Sequence, residues 1–411
     1  MAAAIIADIA HEHADEAAFL FRIRAAAAAA PHYDRASLRA LDERIEAHLD
    51  GVRIAGEEGL AIAASILDED EPGTAFILTV LAAERADARA LAPALELAEA
   101  SPGTTRGVVA GLAWVPFETA RGVLAPLLAP SASACQRRIG IAACAAHRED
   151  PGEALTYALF DDDAALKARA LRAVGELGRV ELADTVRAEL AFAGGDERRF
   201  WAAWSAALLG VEAAIPVLWS IADGGGPLAA PACALVMRRL DVREARMRLE
   251  GLGAAPAHAR AAIAGASALG DPALVPWLLA SMANPDLARV AGEAFATITG
   301  AVLEGSSAAS APEGYRAGPS DDPADAQVAM DPDGQLRWPA VAALQTWWSA
   351  RESGFRRGSR YLGGAPMTAT TLEDDLARAH QQRRAGAAIE LTLRQPGRPL
   401  TEVRARVRSS R

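Results

Sequence analysis

Residues 259–282 read ARAAIAGASALGDPALVPWLLASM, and this stretch holds one complete unit of the pattern that decides the fold. One Ala-rich helical pattern runs up to Gly270, and a second helical pattern starts directly after it. The glycine recurs at Gly178, Gly210, Gly270 and Gly300. The steps between successive repeat positions are 32, 30, 30 and 30 residues, and Leu240-Asp241 stands at the one position that lacks the glycine. Two helical patterns in each period of about thirty residues indicate stacked helical hairpins. The predicted fold class is therefore all-α, an α-solenoid.

The recurring glycine has a conformational reason. Glycine adopts the left-handed backbone without the steric penalty of a Cβ atom, so it ends the first helix and lets the chain turn. Asp271-Pro272 then gives a start signal, because aspartate caps free N–H groups and proline is tolerated in the first turn. The apolar residues of the helix before Gly178 lie on one face at helical spacing: Leu166, Ala170, Leu171, Val174 and Leu177.

The same pattern extends towards the N-terminus with other residues in place of the glycine. Trp114 and His147 stand at that position in residues 106–128 and 137–160. We count roughly eight hairpins over residues 75–303, with the last one incomplete. The predicted organisation begins with a helical N-terminal cap (residues 1–74) and the repeat region (75–303). An acidic Gly/Ser/Pro/Asp-rich loop or linker (304–335) and a basic helical C-terminal segment (336–411) follow.

The N-terminal cap contains a clearly amphipathic helix over residues 35–50. Ser37 or Asp34 is expected to cap its start, and Gly51 is expected to end it. Its apolar stripe consists of Leu38, Leu41, Ile45 and Leu49. At the other end of the chain, residues 371–393 predict a final pair of helices.

Charge is distributed unevenly along the 411 residues, which carry a formal net charge of −11. Residues 304–335 contain seven acids against one arginine, a net charge of −6, and residues 351–411 contain thirteen arginines against six acids, a net charge of +7. The tail arginines would pair either with nucleic-acid phosphates or with the acidic loop of the same chain. All basic residues except Lys167 are arginines, which either codon usage in a GC-rich genome or selection for bidentate contacts with carboxylate or phosphate would explain.

Cysteine usage and hydropathy point to a cytoplasmic protein. Cys135, Cys144 and Cys233 fit no metal or redox spacing, and they are expected to be small buried thiols in a reducing compartment. The N-terminal residues have no basic stretch before an apolar core, so they do not resemble a secretory signal. No window reaches the roughly 18 uncharged apolar residues that a membrane span needs.

The candidate catalytic and metal-binding motifs have simpler structural explanations. His11-Glu12-His13 lacks the HExxH spacing, and these residues are expected to lie on a helix surface. Asp331 and Asp333 resemble the start of a calcium loop, but Ala342 stands where the closing acid is needed. Asp161-Asp162-Asp163 is expected to cap the helix that follows. No nucleotide-binding or hydrolase motif is present, so we expect no enzyme activity, no cofactor, no metal and no catalytic residues.

The tryptophans offer the candidates for packing or binding. Trp201, Trp204, Trp219 and Trp277 fall within or beside the apolar stripes, so they are expected to pack between repeats, with exposure on the concave face as the alternative. Trp347 and Trp348 are adjacent on one helix and are not expected to face the same core. One of these two rings is expected to pack on the acidic loop, on the last repeat or on a partner.

The repeats resemble HEAT-like repeats of the short kind noted in phycobilisome lyases. Two flanking passages are similar to a proteobacterial family of uncharacterised function: ADEAAFLFRIRAAAAAAPHYDRASLRALDERIEAHLDGVRIAGEEG (14–59) and WWSARESGFRRGSRYLGGAP (347–366), the latter followed by RPLTEVRAR (398–406). Members of that family are often encoded beside type VI secretion genes. The resemblance implies an accessory or adaptor role in that system, and it supplies no functional residue.

The predicted function is a non-enzymatic protein-binding scaffold or adaptor. Solenoids offer extended binding surfaces, and an acidic body favours a basic or arginine-bearing protein partner. The candidate partner-binding residues are Trp348, Arg357, Arg360 and Tyr361. The alternatives are a nucleic-acid-binding repeat protein that uses the arginine-rich tail and a helical-repeat enzyme of the lyase or glycosylase type. A nucleic-acid partner is less favoured than a protein partner. The sequence leaves the oligomeric state open.

Overall fold

The computed structural model describes residues 6–192, 196–319 and 329–407. Within these ranges the chain forms α-helices almost throughout, with only two short antiparallel strand pairs, and the all-α prediction is confirmed. Contacts divide the chain into two compact units. The first unit combines the N-terminal stretch up to Ala29, residues Tyr33–Glu189 and the C-terminal stretch from Gln395, and the second contains Ala30–His32 and Leu190–Arg394. The predicted solenoid shape concerns the whole chain and stays a prediction.

The described part of the first unit is built from helices and one 3-10 turn. Its elements are α1 (Ala7–Ala27), α2 (Arg35–Ile54), α3 (Gly56–Ser65), α4 (Pro72–Glu84), α5 (Ala92–Ala98), α6 (Pro102–Trp114), α7 (Phe117–Leu127), α8 (Ala134–His147), α9 (Glu153–Ala158), α10 (Ala164–Leu177), the 3-10 turn Val180–Leu182 and α11 (Ala183–Glu189).

The first helices of successive hairpins stack on one another in this unit. Helix α4 packs on α6, α6 on α8 and α8 on α10, while α1 packs on α2 and α4. Helix α4 is buried along nearly its whole length, which places Phe76 at the centre of the core between Phe21 and Trp114. Alanine supplies much of this core. Because alanine has a small side chain, the helices can approach closely.

Helix α2 starts as predicted but ends later than predicted. Asp34 caps it by accepting the N–H of Ser37. The expectation that Gly51 ends the helix is wrong, because α2 continues through it to Ile54. A Cβ atom on Gly51 would lie 2.3 Å from the ring of His13, so this glycine makes room for a neighbouring helix. Of the three residues expected on the helix surface, His11 and Glu12 are exposed, whereas His13 is half-buried and its Nδ1 lies 3.1 Å from Nδ1 of His48.

The second unit contains the remaining hairpins and all the strands that the structure describes. Its elements are α12 (Asp196–Leu208), α13 (Ala214–Gly224), α14 (Ala229–Arg239), α15 (Val242–Gly253), the 3-10 turn Pro256–His258, α16 (Ala259–Leu269), the 3-10 turn Pro272–Leu274, α17 (Val275–Ser281), α18 (Pro285–Thr299), the 3-10 turn Gly305–Ser307, β1 (Ala308–Ala309), β2 (Trp338–Pro339), α19 (Val341–Ser349), the 3-10 turn Glu352–Gly354, β3 (Tyr361–Leu362), β4 (Ala365–Pro366), α20 (Ala369–Arg378) and α21 (Gln381–Arg394).

Hairpins stack in the second unit as they do in the first. Helix α14 packs on α13 and α16, and α18 packs on α16 and α17. No second helix follows α18, since the chain continues into β1, which pairs with β2. Strand β3 pairs with β4 as a two-residue ladder, and α20 packs on α21, as the final pair of helices was predicted to do.

The recurring glycines adopt the predicted left-handed conformation. Their φ angles are +69° at Gly178, +83° at Gly210, +73° at Gly270 and +76° at Gly300. In α8 the left-handed residue is Arg148, with φ +61°, and not His147 as the sequence pattern predicted. Arg148 lies thirty residues before Gly178, so it occupies the same position in the repeat.

Two aspartates of the acidic loop, Asp331 and Asp333, form ion pairs with arginines of the repeat helices. Arg289 contacts Asp331 at 2.6 Å, and Arg260 contacts Asp333 at 2.6 Å, both with two nitrogens. The expectation that tail arginines neutralise this loop is therefore not met at these two carboxylates. Asp321, Asp322 and Asp325 lie outside the described residues.

Several smaller expectations can be compared directly with the structure. Asp163 caps α10 by accepting the N–H of Leu166, and all three cysteines are buried, as predicted. Both Trp347 and Trp348 contact Phe295 of α18, with ring centroids 5.8 and 6.4 Å away, so adjacent rings do reach one core residue. The four repeat tryptophans are half-buried: Trp201, Trp204, Trp219 and Trp277.

Candidate functional site

An extended C-terminal segment, residues 395–407, lies across the ends of the first helices in the first unit; we call it the tail segment. The Leu400 N–H donates to the carbonyl oxygen of Glu176 at 2.9 Å, near the end of α10. Beside it, a Cβ atom on Gly178 would lie 2.5 Å from the Gly397 carbonyl oxygen. The repeat glycine thus serves two purposes, because it ends the helix and lets a second backbone pass against it.

Arg148 holds the middle of the tail segment. Its guanidinium donates to the carbonyl oxygens of Leu400 and Ala145, and it forms an ion pair with Glu402 at 3.2 Å. A left-handed backbone at a non-glycine residue costs on the order of 1–2 kcal/mol. At Arg148 this conformation places the guanidinium where it reaches both its own helix end and the tail segment.

A buried ion pair holds the last described residues of the tail segment. Arg24 of α1 contacts Asp42 of α2 at 2.8 Å, and both side chains are at least nine-tenths buried. The other nitrogens of Arg24 donate to the carbonyl oxygens of Arg404 and Ala405 at 2.5 and 3.0 Å. Asp42 in turn accepts the N–H of Val407 at 2.8 Å. The pair therefore binds backbone groups and can hold an extended chain of varied sequence.

Arg406 is the tail side chain with the most specific contacts. Its guanidinium lies 3.0 Å from a carboxylate oxygen of Glu46 and 4.9 Å from the centre of the Trp114 ring. The Trp114 indole N–H donates to the same carboxylate at 2.5 Å. An acidic group beside an aromatic face is a site that recognises an arginine side chain.

The second unit binds its own extended segment in the same way. The Tyr361 N–H donates to the Gly270 carbonyl oxygen at 2.8 Å. The N–H groups of Gly363 and Gly364 donate to the last turn of α18, at 2.6 and 3.0 Å. Carbonyl groups at a helix C-terminus have no partner within the helix. In both units, extended segments supply the donors for these carbonyls.

Arg360 has in the second unit the role that Arg148 has in the first. It donates to the carbonyl oxygens of Leu269, Ala268 and Arg238 at 3.0 to 3.3 Å, and it pairs with buried Glu390. Burial lowers the pKa of Arg360, and the charge of Glu390 opposes this.

The predicted partner-binding residues lie in or beside this segment, and three of the four are largely buried. Trp348 and Tyr361 are 7% and 6% exposed, and Phe355 connects their rings with centroid distances of 5.2 and 5.0 Å. Arg360 lies close to them, as described above, and Arg357 is exposed. The structure brings Trp348, Arg360 and Tyr361 together as an internal anchor, and their binding of a partner stays a prediction.

A cavity of about 520 Å³ lies in the first unit between the first helices and the tail segment. One wall is apolar and includes Phe21, Val109, Trp114 and several alanines. Eight arginines, two glutamates and Thr105 form the rest of the lining. The cavity lining therefore carries a net positive charge, although the whole chain carries a net charge of −11.

The glutamate at the centre of this cavity lining is kept ionised by its arginine neighbours. Glu176 is 95% buried at its side chain, and it pairs with Arg169 at 2.9 Å and with Arg172 at 2.8 Å. Burial opposes its ionisation, but Arg169, Arg172 and Arg148 outweigh this effect and lower the pKa of Glu176. Burial lowers the pKa of Arg169, whose positive neighbours act in the same direction.

Sequence reasoning did not find the arginines of the first unit. Arg148 carried the one available signal, since it lies a full period before Gly178. Arg24 and Arg169 lie in helices where an arginine every few residues is normal on a solvated face. No feature of the sequence indicates that these arginines lie beside the tail segment.

Two other features, a metal site and a membrane-spanning helix, are absent from the part of the chain that the structure describes. Three or more His, Cys, Asp or Glu side chains do not come together there as a metal site would require. None of the described helices combines the length and apolar character needed to cross a membrane. Comparison of the chain with protein-family models, with curated proteins and with solved structures finds no match.

Proposed function

We propose that this protein is a non-enzymatic scaffold that binds extended polypeptide segments across the ends of its first helices. The observation that supports this most is the tail segment itself. It is bound through its own backbone by Glu176, Arg148, Arg24 and Asp42. A surface that binds backbone groups in this way accepts many sequences.

The chemistry of the surface favours an arginine-bearing partner. Glu46 and Trp114 hold Arg406, and Arg148 holds the carboxylate of Glu402 four residues earlier in the tail segment. A partner segment with a basic residue after an acidic one would reproduce these contacts in place of the tail segment. Glu46 supplies the attraction for the partner's arginine, because the rest of this surface carries a local surplus of positive charge.

The type VI secretion role belongs to the same proposal as its most specific form. In this form of the proposal, the arginine-bearing segment that the adaptor binds belongs to a protein of the secretion system. The support for this step is the sequence resemblance alone.

A peptide-binding experiment tests the proposal. The probe is a fluorescent peptide with the sequence of residues 396–407, PGRPLTEVRARV. The receptor is the full chain carrying Leu400→Pro and Arg406→Ala, because proline cannot donate to Glu176 and alanine cannot pair with Glu46. We expect this receptor to bind the peptide at least about tenfold more tightly than the wild-type chain, whose own tail segment competes.

The controls separate specific docking from simple attraction between charges. Adding Glu46→Gln to the receptor should weaken binding at least about fivefold, because the arginine loses its carboxylate. Glu43→Gln removes an exposed charge from the same helix and should change binding by less than about twofold. A scrambled peptide that binds as well as the tail sequence, or equal binding by the Glu46→Gln and Glu43→Gln receptors, would refute the proposal.

A further inference from the structure

The cavity of the first unit holds more positive charge than its own carboxylates neutralise. Glu176 is shared by Arg169 and Arg172, and Glu402 pairs with Arg148. Three further lining arginines form no ion pair with a described carboxylate: Arg138, which is half-buried, and Arg106 and Arg404, which are exposed. Of the three, Arg138 is the one that water screens least, and its charge beside Arg169 and Arg172 suits a ligand that carries the opposite charge.

Two buried guanidinium nitrogens in the lining also lack a hydrogen-bond acceptor within the described residues. These are Nε of Arg138, on α8, and Nη1 of Arg169, on α10. Buried polar atoms of folded proteins nearly always have a partner, and each exception calls for an explanation such as an unfilled ligand site. The guanidinium group presents its donors in a fork that matches the two oxygens of a carboxylate or phosphate.

The opposite wall limits which anions would fit. Phe21, Val109 and Trp114 provide an apolar surface, and the alanines of α1, α6 and α8 extend it. The volume of about 520 Å³ is within the range of small-molecule pockets, which are mostly apolar with a few placed polar groups. An inorganic ion alone would leave this wall uncovered.

We propose that the cavity binds a small organic anion, with a phosphate or carboxylate group among the arginines of α8 and α10 and an apolar part against Phe21, Val109 and Trp114. The site adjoins the surface proposed to bind peptides and shares Arg24, Trp114, Arg148 and Glu176 with it, and the tail segment forms one side of the cavity. The ligand would neutralise the shared arginines and would hold the tail segment more firmly.

Isothermal titration calorimetry of the full wild-type chain tests the proposal with four probes. Phenyl phosphate and benzoate combine an anionic group with an apolar ring, inorganic phosphate has only the charge, and benzyl alcohol has only the ring. We expect phenyl phosphate or benzoate to bind at least about tenfold more tightly than inorganic phosphate, and benzyl alcohol to give no binding. Preference between the first two probes identifies phosphate or carboxylate as the natural group.

Matched arginine variants place the binding in the cavity. Arg138→Leu removes a guanidinium from the lining and should weaken the better probe at least about tenfold, while Arg138→Lys should retain part of the affinity. Arg121→Leu removes an exposed arginine of α7 outside the cavity and should bind as the wild type does. Circular dichroism checks that all three variants are folded.

Two results would overturn the proposal. One is that neither phenyl phosphate nor benzoate binds more tightly than inorganic phosphate. The other is that Arg138→Leu and Arg121→Leu bind the better probe equally well. Because no peptide is present in this titration, its failure would leave the peptide-binding proposal standing.

Discussion

Gly270 and Tyr361 lie 91 positions apart in the sequence and in direct backbone contact in the structure. The Tyr361 N–H donates to the Gly270 carbonyl oxygen at 2.8 Å. A Cβ atom at Gly270 would lie 2.3 Å from the Tyr361 carbonyl oxygen, which is closer than two such atoms can approach. Gly300 has the same steric relationship with Gly363, because a Cβ atom there would lie 2.5 Å from the Gly363 carbonyl oxygen. The repeat glycine is therefore required both by the turn and by the segment that lies on it.

This relationship predicts the cost of adding a methyl group at Gly270. Gly270→Ala should lower the free energy of unfolding by about 2–4 kcal/mol, because the left-handed strain and the clash with Tyr361 add together. Gly305 also has a positive φ, +55°, but open space around it, so Gly305→Ala should cost only about 1–2 kcal/mol. Chemical denaturation of both variants measures the difference. Equal costs would mean that the segment does not lie on Gly270.

The anchor of this segment predicts a second contrast. Glu390 is 2% exposed and pairs with both Arg238 and Arg360. Glu390→Ala should destabilise the protein by about 3–5 kcal/mol, because it leaves two arginines without their buried partner. Glu212, whose side chain is 77% exposed, pairs with Arg239 on the surface. Glu212→Ala should change stability by no more than about 1 kcal/mol. A small effect of Glu390→Ala in thermal denaturation would contradict the anchor role.

Glu293 of α18 predicts a dependence of stability on pH. Burial raises its pKa from 4.5 to about 7, against the opposing effect of a hydrogen bond with Thr297. The folded state therefore keeps a proton that the unfolded state has already lost between these values. This carboxyl's contribution makes the free energy of unfolding fall as pH rises from about 4.5 to about 7, and it is constant above that window.

Glu293→Gln isolates that contribution, because glutamine is neutral at every pH. The variant should be more stable than the wild type at about pH 8, by on the order of 2–3 kcal/mol, and the difference should shrink towards about pH 5. Glu250→Gln changes an exposed glutamate of α15 and serves as the control. Denaturation curves at both pH values supply the comparison, and a constant difference for Glu293→Gln would show that this carboxyl does not titrate in the window.

The buried cysteines predict slow reaction with thiol reagents. Burial raises the pKa of Cys144 to about 11, with the nearby acids Glu149 and Asp150 adding to it, and burial raises the pKa of Cys233 to about 12. The thiolate is the reactive form, so both should react at least about 100-fold more slowly than a free thiol at about pH 8. Labelling with a disulfide reagent before and after denaturation counts the thiols. Rapid labelling of all three in the native protein would be inconsistent with this burial.

The helical hairpins were predictable because their signal is local. The left-handed conformation strongly favours glycine, so Gly178, Gly210, Gly270 and Gly300 indicated the helix ends directly. The same rule placed one helix end a residue too early and predicted one helix end that does not exist. The pattern indicated His147, but Arg148 is the residue that adopts the left-handed conformation. Gly51 was expected to end a helix, but its lack of a side chain instead makes room for the ring of His13.

The docking of the extended segments was not predictable from the sequence. Leu400 and Tyr361 dock through their backbone N–H groups, and a backbone contact has no side-chain signature. The cavity was not predictable from the sequence for a related reason. Arginines on one helix look like a solvated surface, and only the packing of α6, α8 and α10 with the tail segment turns Arg138 and Arg169 into a shared lining.

Hydrogen exchange of the full chain, measured by mass spectrometry, tests the central claim that the first helices bind an extended segment. We predict that the amides of Leu400 and Val407 exchange at least about tenfold more slowly than the same amides in the free peptide 396–407, because they donate to Glu176 and Asp42. We also predict that an excess of unlabelled peptide speeds the exchange of the chain's own tail segment by displacing it. Exchange of residues 398–407 at the rate of the free peptide, unchanged when peptide is added, would contradict the account.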